Sequence, residues 1–109
     1  MSRDVAADAS RLKALGHPVR LGIALELAKY PGTCACDFAD VFHVSQPTVS
    51  EHLRVLREAG LVTTKRRGTQ ICYSLDPSAV RHIRSLLGSL EPAKTRRTAS
   101  ELEASAASP

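Results

Sequence analysis

The stretch that decides the fold is residues 37–56, DFADVFHVSQPTVSEHLRVL. A short helix is expected to run to Phe42 from residue 36 or 37, and His43-Val44 then forms a tight turn. Ser45 is a good N-cap for a second helix, which carries Pro47 in its first turn. The inner stripe of that helix consists of Val49, Leu53 and Leu56. Two helices joined by such a short turn are typical of a helix-turn-helix.

The outer face of the second helix carries short hydrogen-bonding side chains, as a helix that reads DNA must. The outward candidates are Ser45, Gln46, Thr48, Ser50 and His52. Glutamine can pair with adenine through two hydrogen bonds, whereas hydroxyls more often hold phosphates. His52 is expected either to face DNA or to act as a hinge, and Arg54 is better placed for the phosphate backbone. The alternative is a solvated amphipathic helix.

Two further helices are predicted before this pair. Val5, Ala9 and Leu12 recur at helical spacing and give a first helix of about ten residues. Pro18 suits the first turn of a second helix, and Pro31-Gly32 ends it. This second helix is apolar nearly all round and is expected to be the central core helix. Its apolar residues are Val19, Leu21, Ile23, Leu25 and Leu27.

A hairpin and a last helix are predicted after residue 60. Residues 61–65 and 70–75 flank a basic tip, Arg66-Arg67-Gly68-Thr69. The candidates for phosphate or minor-groove contacts there are Lys65, Arg66 and Arg67. The last helix follows Asp76, and its seam, with spacings of three and four, is typical of helix–helix packing. Residues 91–109 lack an apolar period and are predicted to form a disordered tail after one domain over 1–90.

Composition limits the class of protein. A chain of 109 residues with no Trp builds one small core of Leu, Val and Ala, which favours a subunit interface. The net charge of +4 favours an acidic polymer as partner. No apolar run is long enough to span a membrane, and no signal-peptide core is visible. Three cysteines, an odd number, argue for a reducing compartment, so we expect a cytoplasmic protein without membrane contact.

Four segments resemble the ArsR/SmtB family of metal-responsive repressors. They are residues 15–21 (LGHPVRL), 34–38 (CACDF), 45–53 (SQPTVSEHL) and 58–62 (EAGLV). The resemblance covers residues 10–90 and implies a mainly helical winged helix-turn-helix, α-α-α-α-β-β-α, that forms a homodimer and binds an operator with two inverted half-sites. It also implies repression of transcription until an inducer releases the DNA. The interface residues expected on the first and last helices are Val5, Leu12, Val80, Ile83, Leu87 and Leu90.

Cys34-Ala35-Cys36-Asp37 is similar to the family's branch that responds to arsenite and antimonite, where this position holds the inducer ligands. The resemblance therefore implies one of these ions as inducer, and no organic cofactor is expected. Trivalent arsenic usually takes three thiolates, and a helix N-terminus lowers the pKa of a thiol. Some members carry a further Cys where this chain has Ala39. A third thiolate must come from Cys72, from the partner chain, or not at all.

Cys72 is the favoured third ligand on geometric grounds. If residues 33–35 form a short strand against the second hairpin arm, Cys34 and Cys72 become cross-strand neighbours. The alternative is that Cys72 is an ordinary strand residue. Residues i and i+2 of a regular helix lie about 200° apart, so chelation by Cys34 and Cys36 requires an irregular helix start or produces one. Such a change would shift the DNA-reading helix and weaken DNA binding.

Other functions remain open at this point. Cadmium or lead could replace the metalloid, with Asp37 adding an oxygen ligand. A thiol redox or persulfide sensor of the same fold would use the cysteines as its switch. A cysteine enzyme using Cys36 with His43 or His52 lacks an organised acid–base pair, so no enzyme is expected. A zinc-type site on the last helix is not expected either, because only His82 is available there.

Overall fold

The computed structural model describes residues 3–93 and has five helices and three strands there. In chain order they are α1 (Val5–Leu15), α2 (Pro18–Lys29), β1 (Thr33–Cys34), α3 (Ala35–Phe42), α4 (Gln46–Glu58), β2 (Val62–Arg67), β3 (Gln70–Leu75) and α5 (Pro77–Ser89). The predicted order of helices and hairpin is confirmed. The predicted tail over 91–109 lies outside the described residues from 94 onward.

Local conformation explains where α4 begins and where α3 ends. The Ser45 hydroxyl accepts a hydrogen bond from the backbone N–H of Thr48 at 3.3 Å, as the N-cap prediction required. The preceding helix, α3, ends at His43, whose backbone is left-handed with φ 53° and ψ 40°. This conformation stops α3 and turns the chain into α4 within three residues.

The three strands form one antiparallel sheet in the order β1-β3-β2. The predicted short strand against the second hairpin arm is confirmed, although it comprises only Thr33–Cys34. The predicted four-residue basic tip is wrong, because Arg66 and Arg67 pair with Ile71 and Gln70 inside the ladder. Gly68 adopts a φ of 60°, which permits a two-residue turn and keeps both arginines in β2.

The core lies where α2, α3 and α4 meet the start of the hairpin. Its largest fully buried side chains are Ile23, Leu27, Phe38, Val49, Leu53, Leu56 and Leu61. The helix α2 contributes Ile23 and Leu27 to this core, as expected of a central core helix, but Leu21 and Leu25 on its other side are 46% and 60% exposed. Both line an apolar groove of about 200 Å³ with Val80 and Ile83 of α5. One side of α2 is therefore left uncovered in the single chain.

The interface candidates are mostly exposed. Ile83 is partly buried against the core of the same chain, whereas the other candidates present apolar surface: Val5, Leu12, Val80, Leu87 and Leu90. No helix within residues 3–93 is long and apolar enough to cross a membrane.

The helices that carry these candidates, α1 and α5, are linked by hydrogen bonds from Arg3, which lies just before α1 and also belongs to an ionic cluster around Asp8. Asp8 is 5% exposed and accepts hydrogen bonds from Arg3 at 2.6 Å and from Arg11 at 3.2 Å. Arg3 also donates to the backbone carbonyl of His82 and to the hydroxyl of Ser85 on α5.

Candidate thiol site and DNA-reading surface

Cys34 and Cys36 lie at the junction between β1 and α3. Cys34 is the N-cap residue of α3 and has extended backbone angles, φ −81° and ψ 153°. Cys36 is the second residue of the helix itself. Because Cys34 lies outside the helix, the opposed orientation of residues i and i+2 does not apply to this pair. The irregular start that chelation requires is thus already present in the fold.

Both thiols line one cleft of about 310 Å³ between α3, α4 and the hairpin. Its other lining residues are Ala35, Ser50, Thr69, Gln70, Ile71 and Tyr73. Ser50 belongs to α4, so a residue predicted to face DNA also borders the thiol cleft. Sequence reasoning missed the contributions of Thr69, Gln70 and Tyr73, because only the position of the hairpin against α3 brings them there.

Cys72 lies beside Cys34 across the sheet. The two are register partners in the β1–β3 pair, as predicted, and Cys72 is 2% exposed. A side-chain hydrogen bond with Cys72, burial and nearby negative charge together raise the pKa of Cys34 to about 11. The expectation that the helix N-terminus lowers the thiol pKa is therefore wrong for Cys34, since its thiol neighbour acts in the opposite direction.

The three thiols do not form a single cluster. All three cysteines are free, and Cys36 donates through Sγ to Oδ1 of Asp37 at 3.9 Å. Within residues 3–93, no three His, Cys, Asp or Glu side chains are gathered closely enough to hold a metal ion. Cys34 is shared between two pairs, one with Cys36 in the cleft and one with Cys72 across the sheet. A three-thiolate site would require the three sulfur atoms to come closer together than they are in this structure.

The predicted outward side chains at the start of α4 are exposed. They are Ser45, Gln46, Thr48 and Ser50. The Ser45 hydroxyl donates to Oγ1 of Thr48 at 2.9 Å in addition to capping the helix. Gln46 and Ser50 are therefore the better placed of these residues to contact a ligand outside the protein.

Arg54 is exposed, but carboxylates already neighbour its guanidinium. Its Nη1 donates to Oε2 of Glu58 at 2.7 Å, and Glu51 accepts two further hydrogen bonds from it. These bonds raise the pKa of Arg54 and lower that of Glu51. A phosphate would have to displace at least one of the two carboxylates to bind Arg54.

His52 is turned toward α2 and is not on the outward face. Its ring centroid lies 4.5 Å from that of His17, and its Nδ1 lies 3.4 Å from Nη1 of Arg20. Burial, followed by the charges of His17 and Arg20, lowers the pKa of His52. The structure therefore places this residue, predicted to face DNA or to act as a hinge, against α2.

The basic residues of the hairpin are all exposed on β2. Lys65, Arg66 and Arg67 follow one another along the strand, and Nε of Arg66 donates to the carbonyl of Gly68 at 3.2 Å. Leu61 and Val62 at the base of this strand are buried, so the hairpin is anchored to the core next to α4.

Comparison with known proteins matches this arrangement to one family. Residues 17–64 match the family model described as "Bacterial regulatory protein, arsR family". The HTH-type transcriptional repressor SmtB of Mycobacterium tuberculosis is 42% identical over 72 residues, which is 66% of this chain and 53% of that protein. The chain thus spans about half the length of this relative. The arsenical resistance operon repressor of Bacillus subtilis is 39% identical over 70 residues, 64% of this chain and 67% of that protein.

A solved structure extends the match beyond the helix-turn-helix. The crystal structure of a possible transcriptional regulator for arsenical resistance has a TM-score of 0.70 and 30% identity, covering 88% of this chain and 95% of that one. This similarity confirms the predicted winged helix-turn-helix, in which the β2–β3 hairpin is the wing. All three relatives are described as regulators or repressors, in agreement with the expectation that the chain is not an enzyme. The chain belongs to the arsR family of bacterial regulatory proteins.

Proposed function

We propose that the chain is a dimeric, cytoplasmic repressor of transcription that leaves its operator when trivalent arsenic or antimony binds its cysteine thiols. Cys34 and Cys36 are the primary ligands, and Cys72 supplies the third thiolate. The single observation that carries the proposal is the cleft between α3, α4 and the wing. Both thiols line it together with Ser50 of α4 and Thr69 of the wing turn.

The coupling between inducer and DNA follows from the split arrangement of the thiols. Cys34 is already next to both other thiols, whereas Cys36 and Cys72 lie on different elements, α3 and β3. A three-thiolate site therefore pulls α3 toward the wing. Since Phe38 of α3 packs in the same core as Val49 of α4, this motion also shifts the reading helix. The inducer thus favours a conformation with weaker affinity for DNA.

The DNA-binding surface combines α4 with the wing. Gln46 and Ser50 enter the major groove, and Lys65, Arg66 and Arg67 bind phosphates or the minor groove beside it. Two copies present two such surfaces, which requires two inverted half-sites. The exposed apolar residues of α1 and α5 are the surface proposed to pair in the dimer. Leu21 and Leu25 of α2 extend the same apolar surface.

A DNA-release assay tests the proposal. A duplex selected by the protein from a random pool is labelled, and its binding is followed by fluorescence anisotropy at fixed salt. We expect arsenite or antimonite to release the duplex from the wild type but not from Cys34→Ser. Ser10→Ala is the control, because Ser10 is an exposed residue on α1. The duplex should be released normally from this variant. Normal release from Cys34→Ser would contradict the proposed ligand.

The second candidate is a soft divalent ion such as cadmium, which the 3.9 Å contact between Cys36 and Asp37 favours. The two ions differ in how their affinity for the protein depends on pH. Arsenite is a neutral trihydroxide that condenses with three thiols and releases three waters, so its affinity is nearly independent of pH while the thiols stay protonated. A divalent ion displaces a proton from each thiol, so its affinity rises about tenfold per pH unit for each thiol bound. A steep rise with arsenite would contradict condensation with protonated thiols.

The role of the wing is tested by salt dependence. Arg66→Ala should lower affinity for all duplexes and reduce the slope of log affinity against log salt by about one. Arg84→Ala is the matched control, because Arg84 is an exposed arginine on α5, away from the wing. Equal effects of the two variants would assign the salt dependence to overall charge and not to the wing.

The dimer is tested by sedimentation. Leu87→Asp places a charge on the exposed apolar face of α5, where Leu87 is 53% exposed, and is expected to give monomers. Val41→Asp changes a residue of similar exposure, 51%, on α3 and should leave the dimer intact. A dimeric Leu87→Asp variant would contradict pairing through α5.

A further inference from the structure

We propose that Cys34 and Cys72 form a redox couple in which a peroxide closes a disulfide between β1 and β3. The two residues are register partners, and both are free thiols. Residues directly paired on antiparallel strands have Cα atoms about 4.5–5.5 Å apart. A disulfide bridges Cα atoms about 4.4–6.8 Å apart. The backbone therefore already holds this pair within bonding range.

The oxidation balances with a peroxide as the only oxidant. Cys34 is half-buried and Cys72 is 2% exposed, so the peroxide reaches the Cys34 sulfur first. The O–O bond breaks, Cys34 becomes a sulfenic acid, and one water leaves. The Cys72 sulfur then attacks the Cys34 sulfur, the S–O bond breaks, and the Cys72 proton leaves with the hydroxide as a second water. Two thiols are oxidised while one peroxide is reduced.

The disulfide would leave the DNA-reading elements in place. Because β1 and β3 are already paired at this position, the bond closes without a change of register. The loop that it closes, from residue 34 to residue 72, contains α3, α4 and β2. The oxidised chain should therefore be harder to unfold and should still bind DNA.

The consequence for the inducer rests on the proposed function, although the disulfide itself does not. Oxidation consumes two of the three thiols that the metalloid needs and leaves only Cys36. The oxidised repressor therefore stays on its operator and no longer responds to arsenite. This outcome is the opposite of a redox sensor that releases DNA on oxidation.

Disulfide mapping is the first part of the test. The full chain is treated with excess hydrogen peroxide, its remaining thiols are alkylated, and its peptides are analysed by mass spectrometry. Because the thiolate is the reactive form of a cysteine, the exposure is continued until the number of free thiols no longer falls. We expect a Cys34–Cys72 disulfide in wild type and in Cys36→Ser, and none in Cys72→Ser. A disulfide that includes Cys36, or the absence of any disulfide, would overturn the proposal.

DNA binding and stability complete the test. The oxidised wild type should bind the selected duplex within about threefold of the reduced protein and should unfold at a higher urea concentration. After the peroxide is removed, arsenite should release the duplex only from the reduced protein, and treatment with a phosphine reductant should restore release. A loss of duplex affinity beyond about tenfold on oxidation would overturn the inference. If arsenite fails to release even the reduced protein, the proposed inducer is wrong, while the disulfide map and urea midpoint still decide this inference.

Discussion

Removal of the Cys72 side-chain thiol tests the geometry of the thiol site directly. Cys72→Ala deletes the hydrogen bond that is the largest cause of the raised pKa of Cys34. The pKa of Cys34 should then fall from about 11 toward its ordinary value of 9.0. Because each pKa unit changes the thiolate fraction tenfold, the Cys34 thiolate at neutral pH should increase by up to about 100-fold. The rate at which Cys34 reacts with iodoacetamide, measured peptide by peptide across a pH series, reports this change.

The Cys36→Ser variant is the matched control for this experiment. Cys36 is the weakest of the causes that raise the Cys34 pKa, so its removal should leave that pKa nearly unchanged. The same reasoning predicts the direction in which stability changes with pH. A thiol whose pKa is higher in the folded chain contributes stability that is lost as pH rises from 9.0 to about 11, and Cys72→Ala should lose less in that range. An unchanged Cys34 pKa in Cys72→Ala, or equal shifts in both variants, would refute the reasoning.

Three further predictions concern stability, at a close helix contact, an ionic cluster and a half-buried histidine. In Gly22→Ala the new Cβ would lie 2.7 Å from Cε1 of Phe42. The free energy of unfolding, measured in urea, should therefore fall by about 1–3 kcal/mol. In the control Gly88→Ala, the new Cβ meets no atom within 4 Å, so this variant should be neutral or stabilising. Asp8→Ala leaves two arginines without their buried acceptor and should cost about 1–3 kcal/mol by the same measurement; a negligible loss would show that the cluster is not stabilising. Because burial lowers the pKa of His52, its neutral form contributes stability that is present above its ordinary pKa of 6.5 and is lost as pH falls below it. His52→Gln should therefore lose less thermal stability than wild type on acidification, and equal losses would contradict this cause.

The helix boundaries could be predicted because their signals are local. Ser45 caps α4 through its own hydroxyl, and Pro18 and Pro47 fix the first turns of α2 and α4. The prediction of the hairpin tip was wrong because it relied on composition. A cluster of arginines next to a glycine indicates a loop by composition, but Gly68 alone supplies the positive φ that a two-residue turn requires.

The thiol site was only partly predictable, because its chemistry depends on contacts between distant segments. The pairing of Cys34 with Cys72 followed from strand geometry once β1 was assumed. The raised pKa of Cys34 could not be predicted in this way. The main cause of the increase is the thiol of Cys72 on the other strand and not the helix end. His52 likewise could not be placed from α4 alone, because its partners His17 and Arg20 belong to α2.

The arrangement of the thiols gives the proposed inducer two separate routes to the DNA-binding elements. Cys34 lies in β1, which pairs with β3, and β3 pairs with the strand that carries Arg66. Cys36 lies in α3, whose Phe38 packs in the core with α4. The proposed function therefore predicts that binding to Cys34 and Cys72 acts first on the wing and that binding to Cys36 acts first on the reading helix. If both routes operate, the loss of Cys72 should weaken the inducer's effect on phosphate contacts, and hence on salt dependence, whereas the loss of Cys36 should weaken its effect on sequence preference.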